Sequence, residues 1–221
     1  MFQINRFQVR QNNMIKIYRL LAVSFFIFFL MNGAFAQDTL KDPVESIREL
    51  KEGYLVIRFP AFKNKIDTLT SMIARAEEGP SKKRLEIMKA ETIEERDSLQ
   101  EDYINAFQTH YKFSKVAYFM DAEARNLSSA HFYNLDKSPI TFKELNQLPI
   151  YYLIFGRTEE SKIDALIIVD SHMKPIPSPF PNNFTRSGFN FLFITLAEDK
   201  FPEWRVKKMN KKLHKFYSAV N

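Results

Sequence analysis

Pro149-Ile150-Tyr151-Tyr152-Leu153-Ile154-Phe155-Gly156 and, after a short polar link, Ala165-Leu166-Ile167-Ile168-Val169 decide the fold. Both runs are unbroken stretches of β-branched, aliphatic and aromatic side chains. The first is bounded by a proline and a glycine, and Arg157 to Lys162 lie between the two. That pattern predicts an antiparallel hairpin. A strand exposed on one face alternates apolar with polar, and these do not, so both faces of the hairpin should be covered at the centre of a sheet.

Working outward, Tyr54 to Phe59 is a first strand stopped by Pro60, and Val116 to Met120 is a second. Phe189 to Leu196 is a further strand candidate, for about five in all. Val44 to Lys51 has the pattern of a short helix. Phe62, Ile66, Leu69 and Ile73 recur at helical spacing, and Gly79-Pro80-Ser81 breaks that helix and starts another. Leu85, Met88, Leu99, Tyr103, Phe107 and Tyr111 keep one face of this second helix apolar. Its middle, Glu91 to Asp97, is nearly all charge and should project or be solvated all round. Leu127 to Gln147 holds short elements, with a helix at Thr141 to Asn146. Pro202 to Ala219 closes the chain as an amphipathic helix. The expected fold is therefore α/β or α+β: one domain with a mixed sheet of about five strands, mostly central. A long helical hairpin is inserted after the first strand, and an amphipathic helix ends the chain.

This order resembles the thioredoxin-like fold, in which a β-α-β half is joined to a β-β-α half. Pro149 stands directly before the third strand, where that family keeps a cis-proline. Ala61-Phe62-Lys63-Asn64 occupies the place of the family's redox motif, and the chain has no cysteine. The resemblance thus implies a redox-inactive module that binds extended polypeptide.

Arg6, Arg10, Lys16 and Arg19 precede an uncharged run from Leu20 to Leu30, followed by Ala34-Phe35-Ala36. A positive start, an apolar core and an A-x-A end form a secretory signal peptide over residues 1–36. Met14 offers a second start with a more usual leader length. The stretch from Leu20 to Ala36 is marginal for a bilayer span and is interrupted by Asn32 and Gly33. Cleavage near Ala36 would leave residues 37–221 as the exported domain, periplasmic or extracellular.

The 221 residues carry 32 Lys+Arg against 26 Asp+Glu, a net +6. Four of those cations lie in the leader, so the remainder stands at 28 against 26, or +2. This removes the expectation of a nucleic-acid partner that a pI near 9.3 invites. The absence of cysteine excludes disulfides, thiolate metal sites and a cysteine nucleophile. With 5 glycines there is no glycine-rich nucleotide motif, and no cofactor is expected.

Asp170-Ser171-His172 follows a buried strand, a common place for site residues in open α/β sheets. With Asp121, at the end of the second strand, Asp170 and His172 form the candidate set for a hydrolase-type enzyme. The competing role for Asp170 is to cap the turn that leaves the strand. The histidines form no metal-binding spacing, so no metal is expected. Pro175, Pro177, Pro179 and Pro181 make an extended, stiff segment. Pro149, Pro177, Phe180 and Phe184 are its candidate contacts for a ligand or for a protein or peptide partner. In the last helix, Lys207, Lys208, Lys211 and Lys212 oppose the apolar stripe and offer peripheral contact with anionic lipid, against the alternative of a solvated surface. No nucleophile elbow, metal motif or nucleotide motif is present. The sequence therefore favours an exported, non-catalytic binding or interaction domain over an enzyme.

Overall fold

A computed structural model describes residues 41–158, 160–185 and 201–221. It begins with helix α1 (Pro43–Glu52), in which Asp42 accepts from the Val44 amide at 3.2 Å and Pro43 takes the first turn. Strand β1 (Tyr54–Phe59) leads to helices α2 (Lys63–Arg75) and α3 (Pro80–His110) and then to β2 (Lys115–Met120). Two short 3-10 turns, Asp121–Glu123 and Leu127–Ser129, precede β3 (Phe132–Asn134), β4 (Pro139–Ile140) and the one-turn helix α4 (Phe142–Leu145). Thr141 and Glu144 cap α4 reciprocally. The hairpin β5 (Ile150–Arg157) and β6 (Asp164–Val169), strand β7 (Asn183–Thr185) and helix α5 (Phe201–Val220) complete the fold.

The strands form one sheet in the order β4-β3-β2-β1-β5-β6-β7. β1 runs parallel to both β2 and β5, and the remaining pairs are antiparallel. Seven strands replace the five expected. The additional ones, β3, β4 and β7, are two or three residues long and lie toward the edges. Elements that short carry no periodicity, and Pro139 in β4 suits an edge, where its missing donor is not needed. The strand expected at Phe189 to Leu196 lies outside the described residues.

Both faces of the central strands are covered, as their continuous apolar character requires. Leu55, Ile57, Phe59, Tyr151, Leu153, Leu166 and Ile168 pack with residues of α1, α3 and α5, among them Ile47, Leu50, Ile104, Phe107, Val206, Met209 and Leu213. On the other face Val56, Ala117, Phe119, Tyr152 and Val169 pack with Phe132 of β3 and Leu145 of α4. α3 buries Tyr103, Ile104, Ala106 and Phe107 near its C-terminal end, whereas Glu91, Glu94, Glu95 and Asp97 are exposed. β1 lies beside β5, and among the described residues the cis peptide precedes Pro179, whereas that before Pro149 is trans. No described helix is long and apolar enough to cross a membrane.

Candidate functional site

Three parallel strands end on one edge of the sheet. From there the connection leaving β1 runs toward β2, while the hairpin leaving β5 turns the other way. Such a reversal opens a crevice in which ligands bind in open α/β sheets. Beside it, at the ends of β1 and β2, lies a cleft of about 680 Å³. Arg58 of β1, Phe62 to Lys65 at the start of α2, and Asp121, Ala122, Ala124 and Arg125 after β2 line it.

Local conformation sets the cleft's electrostatics. Phe62 turns the chain into α2 with a left-handed backbone (φ 50°) and gives the helix no side-chain cap. The first amides of α2 thus remain open at the positive end of the helix dipole. The Asp121 carboxylate is already engaged, accepting from the buried Ala61 amide at 2.8 Å. Lys63 pairs with Asp67 at 2.7 Å and Lys65 with Glu95 at 3.7 Å. Among the described residues, Arg58 and Arg125 have no acidic partner. Arg58 is half-buried, which limits its access to water, so its charge is open to an anionic ligand. The lining supplies mainly cations and amide donors, and its carboxylate, Asp121, is held by the Ala61 amide. Its chemistry is recognition of an anion, with two planar guanidinium groups suited to the oxygens of a phosphate or carboxylate.

The cleft holds one sequence-selected residue, Asp121, in a structural role. Asp170 and His172 lie elsewhere. β6 runs antiparallel to β5, so Asp170 leaves the sheet at the opposite edge from Asp121, three strands away. Strand spacing and rise put them about 20 Å apart. Two groups so separated share neither a proton nor a metal. The Asp170 carboxylate accepts from the His172 amide at 2.8 Å and the Lys174 amide at 2.9 Å, closing the turn after β6. His172 is exposed. No cluster of three metal-ligating side chains occurs among the described residues.

The candidate partner contacts also separate. Phe180 and Phe184 are buried in the core on the helical side of the sheet and present no surface. Pro177 is half-buried, and the Pro149 carbonyl accepts from the Tyr54 amide at 2.9 Å. Lys207, Lys211 and Lys212 are exposed on α5, and Lys208 is half-buried.

The sequence reading passed over Arg58 and Arg125. Arg58 carried a signal, a lone cation inside the apolar strand Tyr54 to Phe59 near the end where open sheets place their sites. Arg125, in the polar stretch after β2, carried none. The sequence reading also passed over a network at the far edge. There the Tyr151 hydroxyl donates to Glu49 at 2.6 Å, and Lys41 donates to the same carboxylate oxygen at 2.5 Å. Burial opposes the Glu49 charge, but the bonds from Lys41 and Tyr151 outweigh it and hold the carboxyl below its usual range. Burial and the Glu49 bond push the Tyr151 hydroxyl up to about 12. With every member engaged, this network is a brace between α1 and β5.

No protein-family model, curated protein or solved structure gives a significant match to the chain.

Proposed function

We propose that this chain is an exported, non-catalytic binding domain whose ligand presents a compact anionic group, phosphate or carboxylate, to the cleft at the ends of β1 and β2. The carrying observation is that Arg58 and Arg125 line one cleft and, among the described residues, have no acidic partners. The open amino end of α2 supports the reading because it adds donors of the same polarity. The separation of Asp121 from Asp170 and His172 supports binding over catalysis. Export rests on the leader pattern of residues 1–36.

The experiment is thermal denaturation with inorganic pyrophosphate or citrate, each compared with sodium chloride at equal ionic strength. The multivalent anions should raise the melting temperature, and Arg58→Gln and Arg125→Gln should each remove most of the rise. An increase that chloride reproduces, or one undiminished in both variants, would overturn the reading.

A further inference from the structure

Helix α5 carries a second cationic surface, unrelated to the cleft. Val206, Met209 and Leu213 are buried against the sheet. Trp204, Lys208, Lys211 and Lys215 follow at spacings of four, three and four, which puts them on one outward stripe. The stripe is about 16 Å long at the rise of an α-helix. Lys207 and Lys212 flank it. Glu203 is the last acidic residue of the chain, so nothing on this helix balances the lysines beyond its first turn.

Two features distinguish this face from an ordinary solvated one. Trp204 is 37% exposed, with the Lys208 ammonium 4.9 Å from its ring centre. An indole left in water beside cations has the amphipathic character of side chains that settle at a lipid–water interface. Most of the lysines, moreover, lack an anion of their own among the described residues. Lys207 pairs with Glu203, but among the described residues Lys211, Lys212 and Lys215 make no ion pair. Lys208 reaches the Thr185 carbonyl at 3.4 Å, and Lys212 lies over the Phe184 ring at 5.8 Å. These two ammonium groups therefore lean toward β7, and the exposed Lys211 and Lys215 carry the charge that faces outward.

We propose that the outward face of α5 docks on an anionic phospholipid bilayer, with the lysines on headgroup phosphates and Trp204 at the interface. The row of charge complements a surface bearing many phosphates. A single small anion would engage two or three of these lysines and leave the indole exposed. Each lysine held near an anionic bilayer strengthens binding about fivefold, so the row gives reversible attachment rather than a permanent anchor.

Trp204 is the one tryptophan of the chain, so its emission reports α5 whatever residues 1–36 do. The full-length protein is titrated with vesicles of phosphatidylcholine and with vesicles containing 30% phosphatidylglycerol. The emission should move to the blue only with the anionic vesicles, be quenched by brominated acyl chains and return at high salt. Lys211→Glu with Lys215→Glu should weaken the response about 25-fold or more. The milder pair Lys211→Gln with Lys215→Gln serves if the reversal disturbs folding by circular dichroism. Equal emission with both vesicle types, or a shift that survives the lysine variants, would overturn the proposal. A shift reproduced by soluble polyphosphate without lipid would overturn it too, assigning the face to a dissolved polyanion.

Discussion

A Cβ built on Gly53 would stand 2.2 Å from the carbonyl oxygen of Pro149. Gly53 joins the end of α1 to the start of β1. Its amide donates to Glu49, its carbonyl accepts from Lys115, and the next amide donates to Pro149. One small residue thus lets α1 approach the point where β1, β2 and β5 are registered. Its φ of -96° is open to any residue, so the constraint is contact and not conformation. Gly53→Ala should cost about 1–3 kcal/mol, since the clashing atom is backbone and cannot rotate aside. Urea unfolding reads the cost, and a loss below about 0.5 kcal/mol would contradict this packing.

The Lys41–Glu49–Tyr151 brace should show in the pH dependence of stability. The Tyr151 hydroxyl ionises near pH 10 in an unfolded chain and is pushed up to about 12 when folded. Its contribution is therefore complete below pH 10 and is lost as pH rises toward 12. Two pH units correspond to on the order of 2–3 kcal/mol. Glu49 has the opposite sign: held below its usual range, it contributes above that range and loses the contribution as pH falls. Tyr151→Phe should flatten the alkaline decline between pH 10 and 11.5 relative to the parent protein. An equal decline in both proteins would remove Tyr151 from the account.

Phe180 and Phe184 are core residues, 3% and 0% exposed. Truncating either to alanine should destabilise the fold by about 3–5 kcal/mol. At temperatures where the variants remain folded, the anion-dependent thermal shift should persist. Loss of that shift from a still-folded Phe184→Ala protein would return this side chain to a binding role.

The acidic residues after β2 and β6 should behave as structural acceptors. Asp121→Ala leaves the buried Ala61 amide unpaired and should cost about 1–3 kcal/mol, and Asp170→Ala, which frees two backbone amides that water can reach, about 0.5–1.5 kcal/mol. His172→Ala, at an exposed site, should change stability by less than about 0.5 kcal/mol. If His172→Ala and Asp170→Ala together abolished a hydrolytic activity of the native protein, the binding reading would fall.

The parts of the fold that were legible in the sequence are those in which burial leaves a long pattern. Tyr54 to Phe59, broken only by Arg58, and the β5–β6 hairpin are apolar runs because both faces of the sheet are covered. α5 shows its stripe over five turns. β3, β4 and β7 escaped because two or three residues held at a sheet edge owe their conformation to a neighbour and not to their own pattern. The cleft escaped for a related reason. Arg58 and Lys63 lie more than 60 residues before Arg125 and meet it only because β1 and β2 end on the same edge. Asp170 misled because the rule that sites follow strand ends applies to the edge where the parallel strands finish. β6, running the other way, delivers Asp170 to the opposite one.

The most direct test of the proposed binding site is a titration of the isotope-labelled protein with inorganic pyrophosphate, followed through its amide proton and nitrogen resonances. Saturable shifts should centre on Phe62 to Lys65 and Ala122 to Arg125, and Arg58→Gln should suppress them. Shifts confined to the lysines of α5, or none at concentrations that raise the melting temperature, would contradict a ligand site at the ends of β1 and β2.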